Sequence, residues 1–249
     1  DCRLSVRAGL QSTRFYLEPG EEVRGPRILV MHADHDEPQA AAQFRRLIGT
    51  HYVPARSGRP HEAVIFCNTC FTRGGSWLNE CNAANQISLI DAYGQLGVDA
   101  VITDAGWFEG GWPDGAGTWV PRVDAYPEGM GRVAEAAQNN SIQYGLWFEP
   151  ERAGRDSQIQ RDHPDWCLSH PGTEETYLVN FGLPEVREYF LEILAGFMDL
   201  PGFGVYRQDF NMHPYPYWRA NDGRGRVGIT EMRHVAGLYA FWDEIARRW

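Results

Sequence analysis

"GVYRQDFNMHPYPYW", residues 204–218, decides how this chain is read. A short apolar run beginning at Phe203 leads straight into Arg207, Gln208 and Asp209, and then into aromatics and prolines. In an extended strand alternate side chains share a face, so Arg207 and Asp209 project to the same side. Two other apolar runs finish in the same manner: "VDAVITDAGW" (98–107) in Asp104, and "YGLWFEPE" (144–151) in Glu149 and Glu151. Amphipathic helical patterns separate the runs, at 85–97, at 130–140, and from Pro184 along Val186, Tyr189, Phe190, Ile193, Leu194 and Phe197. Apolar strands alternating with such helices predict an α/β fold with a parallel sheet covered by helices. Reactive groups at the C-terminal ends of several strands are how a (β/α)8 TIM barrel builds its site. The chain is therefore expected to hold about the first four βα units of such a barrel, with the remainder past Trp249.

Upstream, residues 13–31 read as a hairpin around Pro19-Gly20, and residues 37–48 as a helix with Ala41, Phe44, Leu47 and Ile48 on one face. The Pro-, Gly- and Arg-containing connector at 51–62 is the expected domain boundary, and "AVIFCN" (63–68) the first barrel strand. "TYLVNF" (176–181) is a further extended run. A last helix is expected to be capped by Thr230, with Met232, Val235, Leu238, Tyr239, Trp242 and Ile245 inward. The chain starts at Asp1 rather than Met and stops inside that helical pattern, as a piece of a longer protein would.

Composition narrows the function classes. The formal net charge is -10 and the isoelectric point about 5.3, with no basic run or basic helix face, so a nucleic-acid partner is not expected. No G-x-x-x-x-G-K-[ST] motif occurs, and no apolar stretch has membrane-spanning length. The five cysteines, Cys2, Cys67, Cys70, Cys81 and Cys167, are irregularly spaced and read as reduced thiols, one C-x-x-C pair being insufficient for zinc. "MHADHDEPQ" (31–39) is rich in metal-ligand types, including His32, Asp34, His35, Asp36 and Glu37. It joins a strand to a helix, where acids suit the first turn, so helix capping is the preferred reading and no metal is expected. Nine tryptophans contribute to a 13% aromatic content, most of it expected in the core and the rest lining a groove.

Asp209 is the sharpest chemical candidate. A guanidinium on the same strand face favours its ionised form, and an oriented carboxylate in an aromatic cup is what a retaining glycosidase needs as nucleophile. A structural Arg–Asp pair at a strand end is the competing reading. Asp104, followed by Gly106 and Trp107, can accept hydrogen bonds from neighbouring sugar hydroxyls while the indole caps the pocket; a loop salt bridge is its alternative. Trp147 and Glu149 share a face, and Glu151 with Arg152 is expected to brace the strand tip as an ion pair.

"GLWFEPE", "DHPDW" (162–166), "LPEVREY" and "RQDFN", in this order, resemble family 36 of the glycoside hydrolases, the melibiase-type α-galactosidases. The resemblance implies a retaining exo-glycosidase that releases terminal α-linked galactose from oligosaccharides or glycoconjugates, with no cofactor. It implies that Asp209 is the nucleophile and that Asp104, Trp107, Trp147, Arg207 and Asn211 bind substrate. Residues 1–55 would be the C-terminal edge of a β-sandwich domain with a linking helix, and 56–249 the N-terminal half of the catalytic barrel. No membrane or nucleic-acid partner is expected; a homo-oligomer is one option for the full-length protein, and neither oligomeric state nor compartment is set by the sequence, the cytoplasm ranking ahead of secretion. The departures lie around the sugar. The second acid of the family's D-D-G-W is Ala105, its lysine two residues before the nucleophile is Arg207, and the tryptophan beside the nucleophile is Gln208. Its N-[ST]-W-E reads Asn68-Thr69-Cys70-Phe71, and "SHPGTEETYLVNF" (169–181) holds no arginine where the family usually carries one. These changes motivate an α-N-acetylgalactosaminidase or galactosaminidase as the alternative, with a non-catalytic carbohydrate-binding barrel as the rival outside catalysis. The family's acid/base, on the sixth barrel strand, is expected beyond Trp249.

Overall fold

A computed structural model of the chain describes residues 5–33, 36–53, 55–56, 59–60, 63–71 and 80–249. Two compact units are present: Asp1–Leu10 with Gly25–Val64, and Gln11–Arg24 with Ile65–Trp249.

The smaller unit carries helix α1 (Glu37–His51) and a two-stranded antiparallel ladder. Asp36 caps α1 by accepting from the Gln39 N–H at 3.1 Å, so this part of the acid- and histidine-rich stretch serves the helix start. Asp34 and His35 of that stretch, and Cys2, lie outside the described residues.

In the larger unit the predicted hairpin over 13–31 does not form. The strand β1 (Arg14–Phe15) instead pairs with a distant antiparallel partner, Arg226–Val227. The Pro19-Gly20 turn is made, but the Glu21 carboxylate beyond it is held by Arg226 at 2.7 Å and Arg233 at 2.5 Å, side-chain contacts in place of a paired second strand. The ladder of the smaller unit is β2 (Ala55–Arg56) with β3 (Arg59–Pro60).

The centre of the larger unit is a parallel sheet. Its strands are β4 (Phe66–Asn68), β5 (Ala100–Thr103), β6 (Gln143–Phe148) and a fourth at Phe203–Gln208, each added beside the last without reversal of order. β5 is buried at every position, as a strand covered on both faces must be. Helix α2 (Ala83–Gly94) joins β4 to β5 and α3 (Gly131–Asn139) joins β5 to β6. After β6 the chain makes an excursion: β7 (Arg152–Gly154), α4 (Gln158–Asp162), β8 (Cys167–His170) and β9 (Thr173–Val179). The run expected at 176–181 thus belongs to an antiparallel sheet ordered β7-β9-β8, not to the parallel one.

Helix α5 (Pro184–Met198), with proline in its first turn, then leads into β10 (Phe203–Gln208). Gly145 lets β6 and β10 approach closely; an added Cβ would lie 2.7 Å from Val205 Cβ and 2.9 Å from its carbonyl oxygen. Helix α6 (Tyr215–Ala220), β11 (Arg226–Val227) and α7 (Ile229–Arg248) complete the unit.

Two expectations for α7 are corrected. Thr230 lies inside the helix; the N-cap position is Gly228, and the Asp222 carboxylate upstream accepts from the N–H groups of Gly228 at 2.9 Å and Thr230 at 3.1 Å. The buried stripe is Ile229, His234, Gly237 and Phe241; of the expected inward set Leu238 and Ile245 pack half-buried against the core, whereas Val235, Tyr239 and Trp242 are exposed. The rotation follows from Gly237, which packs so closely on the Phe181 carbonyl that a Cβ there would overlap it. The core between sheet and helices is dominated by aromatics, with Trp107, Phe108, Phe148, Phe181, Phe190 and Phe241 at most 2% exposed. No helix among the described residues is long and apolar enough to cross a membrane.

Candidate active site

Parallel pairing aligns the strand ends. Asn68 stands opposite Ile102, Thr103 opposite Leu146, and Gln208 opposite Phe148. The residues just beyond, Asp104, Glu149 and Asp209, therefore emerge at one edge of the sheet, the carboxyl ends of its strands. Backbone bonding fixes the last of these, the Asp209 N–H donating to the Phe148 carbonyl at 2.9 Å.

Asp209 Oδ2 accepts from the Trp147 indole at 3.0 Å, and Oδ1 from the Phe210 N–H at 2.9 Å. Partial burial disfavours the charged form. The Trp147 and Phe210 donors, the Asn211 side chain and the Arg207 charge outweigh it, so the carboxyl is held below its ordinary pKa. The carboxylate remains 35% exposed, accessible to a ligand.

Arg207 Nη1 lies 3.3 Å from Asp104 Oδ2 and 3.9 Å from Asp209 Oδ2, so one guanidinium serves both acids. Asp104 is 7% exposed and also accepts from Asn68 Nδ2 at 2.5 Å and from the Ala105 N–H at 2.8 Å. The left-handed turn at Gly106, φ 103°, swings the chain away from the strand just after it. Burial first, and then the Asp104 charge, push the nearby Cys70 thiol up to about 11.

These groups border a cavity of about 260 Å³, with Asn68, Asp104, Arg207 and Asp209 as polar lining and Trp112 and Trp147 as indoles. That is slightly below the roughly 300–1,000 Å³ of drug-sized sites and suits a single sugar ring. Asn211, Cys70 and Ala105 also reach it. Trp107 does not. It is fully buried against Phe108, Phe148 and Phe197, and its indole donates to the Trp147 carbonyl at 2.9 Å. Gly106 turns the chain so that Trp107 enters the core, and Trp112, from the following glycine-rich loop, lines the cavity instead. Gly154 holds that loop close, since a Cβ there would overlap the Asp114 carbonyl. Gln208 also faces elsewhere, donating to Glu151 at 3.1 Å and accepting from Trp242 at 2.8 Å.

A third carboxylate ties the site together. Glu149 is fully buried; Oε2 accepts from Trp112 Nε1 and Arg152 Nε, both at 2.8 Å, and Oε1 from the Asn211 N–H at 2.5 Å. The expected pairing of Arg152 with Glu151 is not made. β6 has ended by then, and the turn at Pro150–Glu151 points Glu151 the other way, to the buried His234 at 3.0 Å. The fixed part of the site that sequence reasoning missed is Asn68, Trp112 and this Glu149 hub. Cys67, Cys70, Cys81 and Cys167 are free thiols, and no cluster of three or more metal-ligand side chains gathers among the described residues.

A family model described as melibiase matches residues 23–249. The α-galactosidase Mel36A of Lactobacillus acidophilus is 23% identical over 99% of this chain and 34% of its own length. The α-galactosidase AgaA of Geobacillus stearothermophilus is 25% identical over the same shares. A crystal structure of the GH36 enzyme AgaA from that organism in complex with raffinose superposes with a TM-score of 0.65 at 25% identity, covering 76% of this chain and 27% of that one. A second, in complex with stachyose, reaches a TM-score of 0.72 over 84% of this chain and 30% of that one; at 23% identity it attests the fold. The chain thus spans about a third of the length of these curated relatives.

Proposed function

The chain belongs to the melibiase family, and from that premise we propose that it carries the glycon site and nucleophile of a retaining α-galactosidase. Asp209 attacks the anomeric carbon of a terminal α-galactoside, expelling the leaving oxygen and forming a covalent glycosyl-aspartate that water then cleaves. Asp104, Arg207 and Asn211 hold ring hydroxyls, and Trp147 fixes the nucleophile. The observation that carries this reading is Asp209 itself: partly exposed in a sugar-sized cavity at the carboxyl ends of parallel strands, with donors favouring its charged form.

The successive, unreversed order of β4, β5, β6 and β10 supports residues 56–249 as the first half of a (β/α)8 barrel. By the family resemblance, residues 1–55 are the edge of a preceding β-sandwich with its linking helix α1. The acid/base is assigned outside this chain. A retaining enzyme needs it about 5–5.5 Å from the nucleophile, and the nearest acids are engaged, Asp104 by Asn68 and Arg207, Glu149 by Arg152 and Trp112. Oligosaccharides of the kind bound by the relative in the raffinose complex are the expected substrates.

A 2-fluoro α-galactoside with a good leaving group, incubated with the full-length protein, should leave a covalent adduct on the peptide containing Asp209. Labelling of another carboxylate would refute the assignment. The galactosaminidase alternative rests on Ala105 and Arg207 in the cavity lining and loses the support of Gln208, which faces away. Parallel rates on nitrophenyl α-galactoside and its 2-acetamido analogue separate the two.

A further inference from the structure

Behind Asp209, on the face of β10 turned from the sugar-sized cavity, lies a polar cluster that the reaction above does not use. Alternation puts Tyr206 and Gln208 on that face, where Tyr206 packs against Phe241 of α7 with ring centroids 6.2 Å apart. Both ends of the Gln208 amide are committed. Its oxygen accepts from the Tyr206 hydroxyl at 3.0 Å and from the Trp242 indole at 2.8 Å, and its nitrogen donates to Glu151 Oε2 at 3.1 Å. Glu151 is itself buried, and its Oε1 accepts from Nε2 of the fully buried His234 at 3.0 Å. His234 Nδ1 has no hydrogen-bond partner among the described residues, and the ring packs edge to face on Phe181 and Trp218. The polar service of this histidine therefore goes to Glu151.

We propose, resting on the α-galactosidase reading above, that Glu151 and His234 are positioning residues for Asp209, acting through Gln208. Gln208 is the last residue of β10 and stands opposite Phe148, the last of β6. The next tie to the sheet is the bond from the Asp209 N–H to the Phe148 carbonyl. The amide clasp thus fixes the strand tip one residue before Asp209 and joins it to the turn after β6 and to α7. Contacts between a covered sheet and its helices are ordinarily apolar, and a buried polar network is costly unless its members find partners. Once satisfied, directional bonds admit one arrangement where apolar side chains could slide. Placement matters at this point, since a shift of about 1 Å in a reacting group can cost about 100-fold in rate. Position 208 is also one at which the chain departs from the family motif, and a tryptophan there, carrying no acceptor, could not make this clasp.

Glu151 and Gln208 can exchange charge without changing shape, and this tests the role in the full-length protein. Glu151→Gln sets one amide nitrogen against another, and Gln208→Glu sets two carboxylates face to face. Each should lower kcat on a nitrophenyl α-galactoside at least ten-fold. The galactose Kd, measured by calorimetry, should stay within two-fold, because neither side chain lines the sugar cavity. The double exchange, Glu151→Gln with Gln208→Glu, gives each donor an acceptor again: position 151 donates to position 208, His234 still meets an oxygen at 151, and Tyr206 and Trp242 still meet one at 208. Its kcat should return to within three-fold of wild type. Trp242→Phe, at an exposed position, removes one donor to Gln208; it should lower kcat about three-fold and serves as the readout if the other variants do not fold. Unchanged kcat in the folded variants, galactose binding lost alongside kcat, or a folded double exchange that fails to regain kcat overturns the positioning role. Absence of turnover in the full-length wild type overturns the galactosidase reading instead, and the positioning role with it.

Discussion

The indole of Trp147 donates to Asp209, Nε1 to Oδ2 at 3.0 Å, from the tip of one parallel strand to the tip of its neighbour. This bond favours the carboxylate over the carboxylic acid. Trp147→Phe removes it while keeping an aromatic ring. The Asp209 pKa should rise, so less of the proposed nucleophile is ionised at a given acidic pH and the acid limb of the kcat/KM profile moves to higher pH. Hydrogen bonds to charged groups contribute about 1.5–3 kcal/mol, so the pH-independent rate should fall roughly 10- to 100-fold. An unmoved acid limb would remove Trp147 from this role.

Arg207 presents one nitrogen to both Asp104 and Asp209, at 3.3 and 3.9 Å. A lysine ammonium is a compact point charge without the planar fork. Arg207→Lys should therefore lose at least ten-fold in kcat/KM on a nitrophenyl α-galactoside despite keeping the charge. Unchanged kinetics would mean that charge alone is used.

The fold was legible where periodicity is strong: the three strands ending in Asp104, Glu149 and Asp209, and the helix starting at Pro184. It was not legible where a distant charge decides. The segment after Pro19-Gly20 is positioned by Arg226 and Arg233 acting on Glu21, pairings that no local pattern encodes. The face of α7 was misjudged because Gly237, which carries no apolar signal, sets the closest contact. Within the site, alternation placed Arg207 and Asp209 together. It could not tell Trp107 from Trp112, because a single left-handed glycine between strand and indole exchanges core for cavity.

Trp107 makes that distinction measurable. It is a fully buried core residue, so Trp107→Ala should destabilise the protein by about 3–5 kcal/mol, read as a lower denaturant midpoint. A folded variant of wild-type stability with only a raised KM would return Trp107 to the sugar site.

Cys70 reports on Asp104. Its thiol, raised from 9.0 to about 11, holds roughly 100-fold less thiolate at neutral pH than an unperturbed cysteine. Alkylation by iodoacetamide at pH 8 should be correspondingly slow. Asp104→Asn removes a negative charge that opposes thiolate formation, so the Cys70 pKa falls and alkylation accelerates. The rate is followed by mass spectrometry of the Cys70 peptide, and equal rates in both proteins would separate the two side chains.

Glu149 allows the structural and catalytic parts of the site to be separated. Its carboxylate is buried with three donors, and one of them, Arg152, is a buried cation. Glu149→Gln leaves that cation unpaired, and breaking a buried pair from one side costs about 3–5 kcal/mol. Adding Arg152→Met removes the stranded charge, so the double variant should recover most of the lost stability in chemical denaturation. Activity should not recover with it, because Trp112 and the Asn211 N–H still lack the carboxylate that positions them, and kcat/KM should remain at least ten-fold down. Recovery of both together would reduce Glu149 to a partner for Arg152 and nothing more.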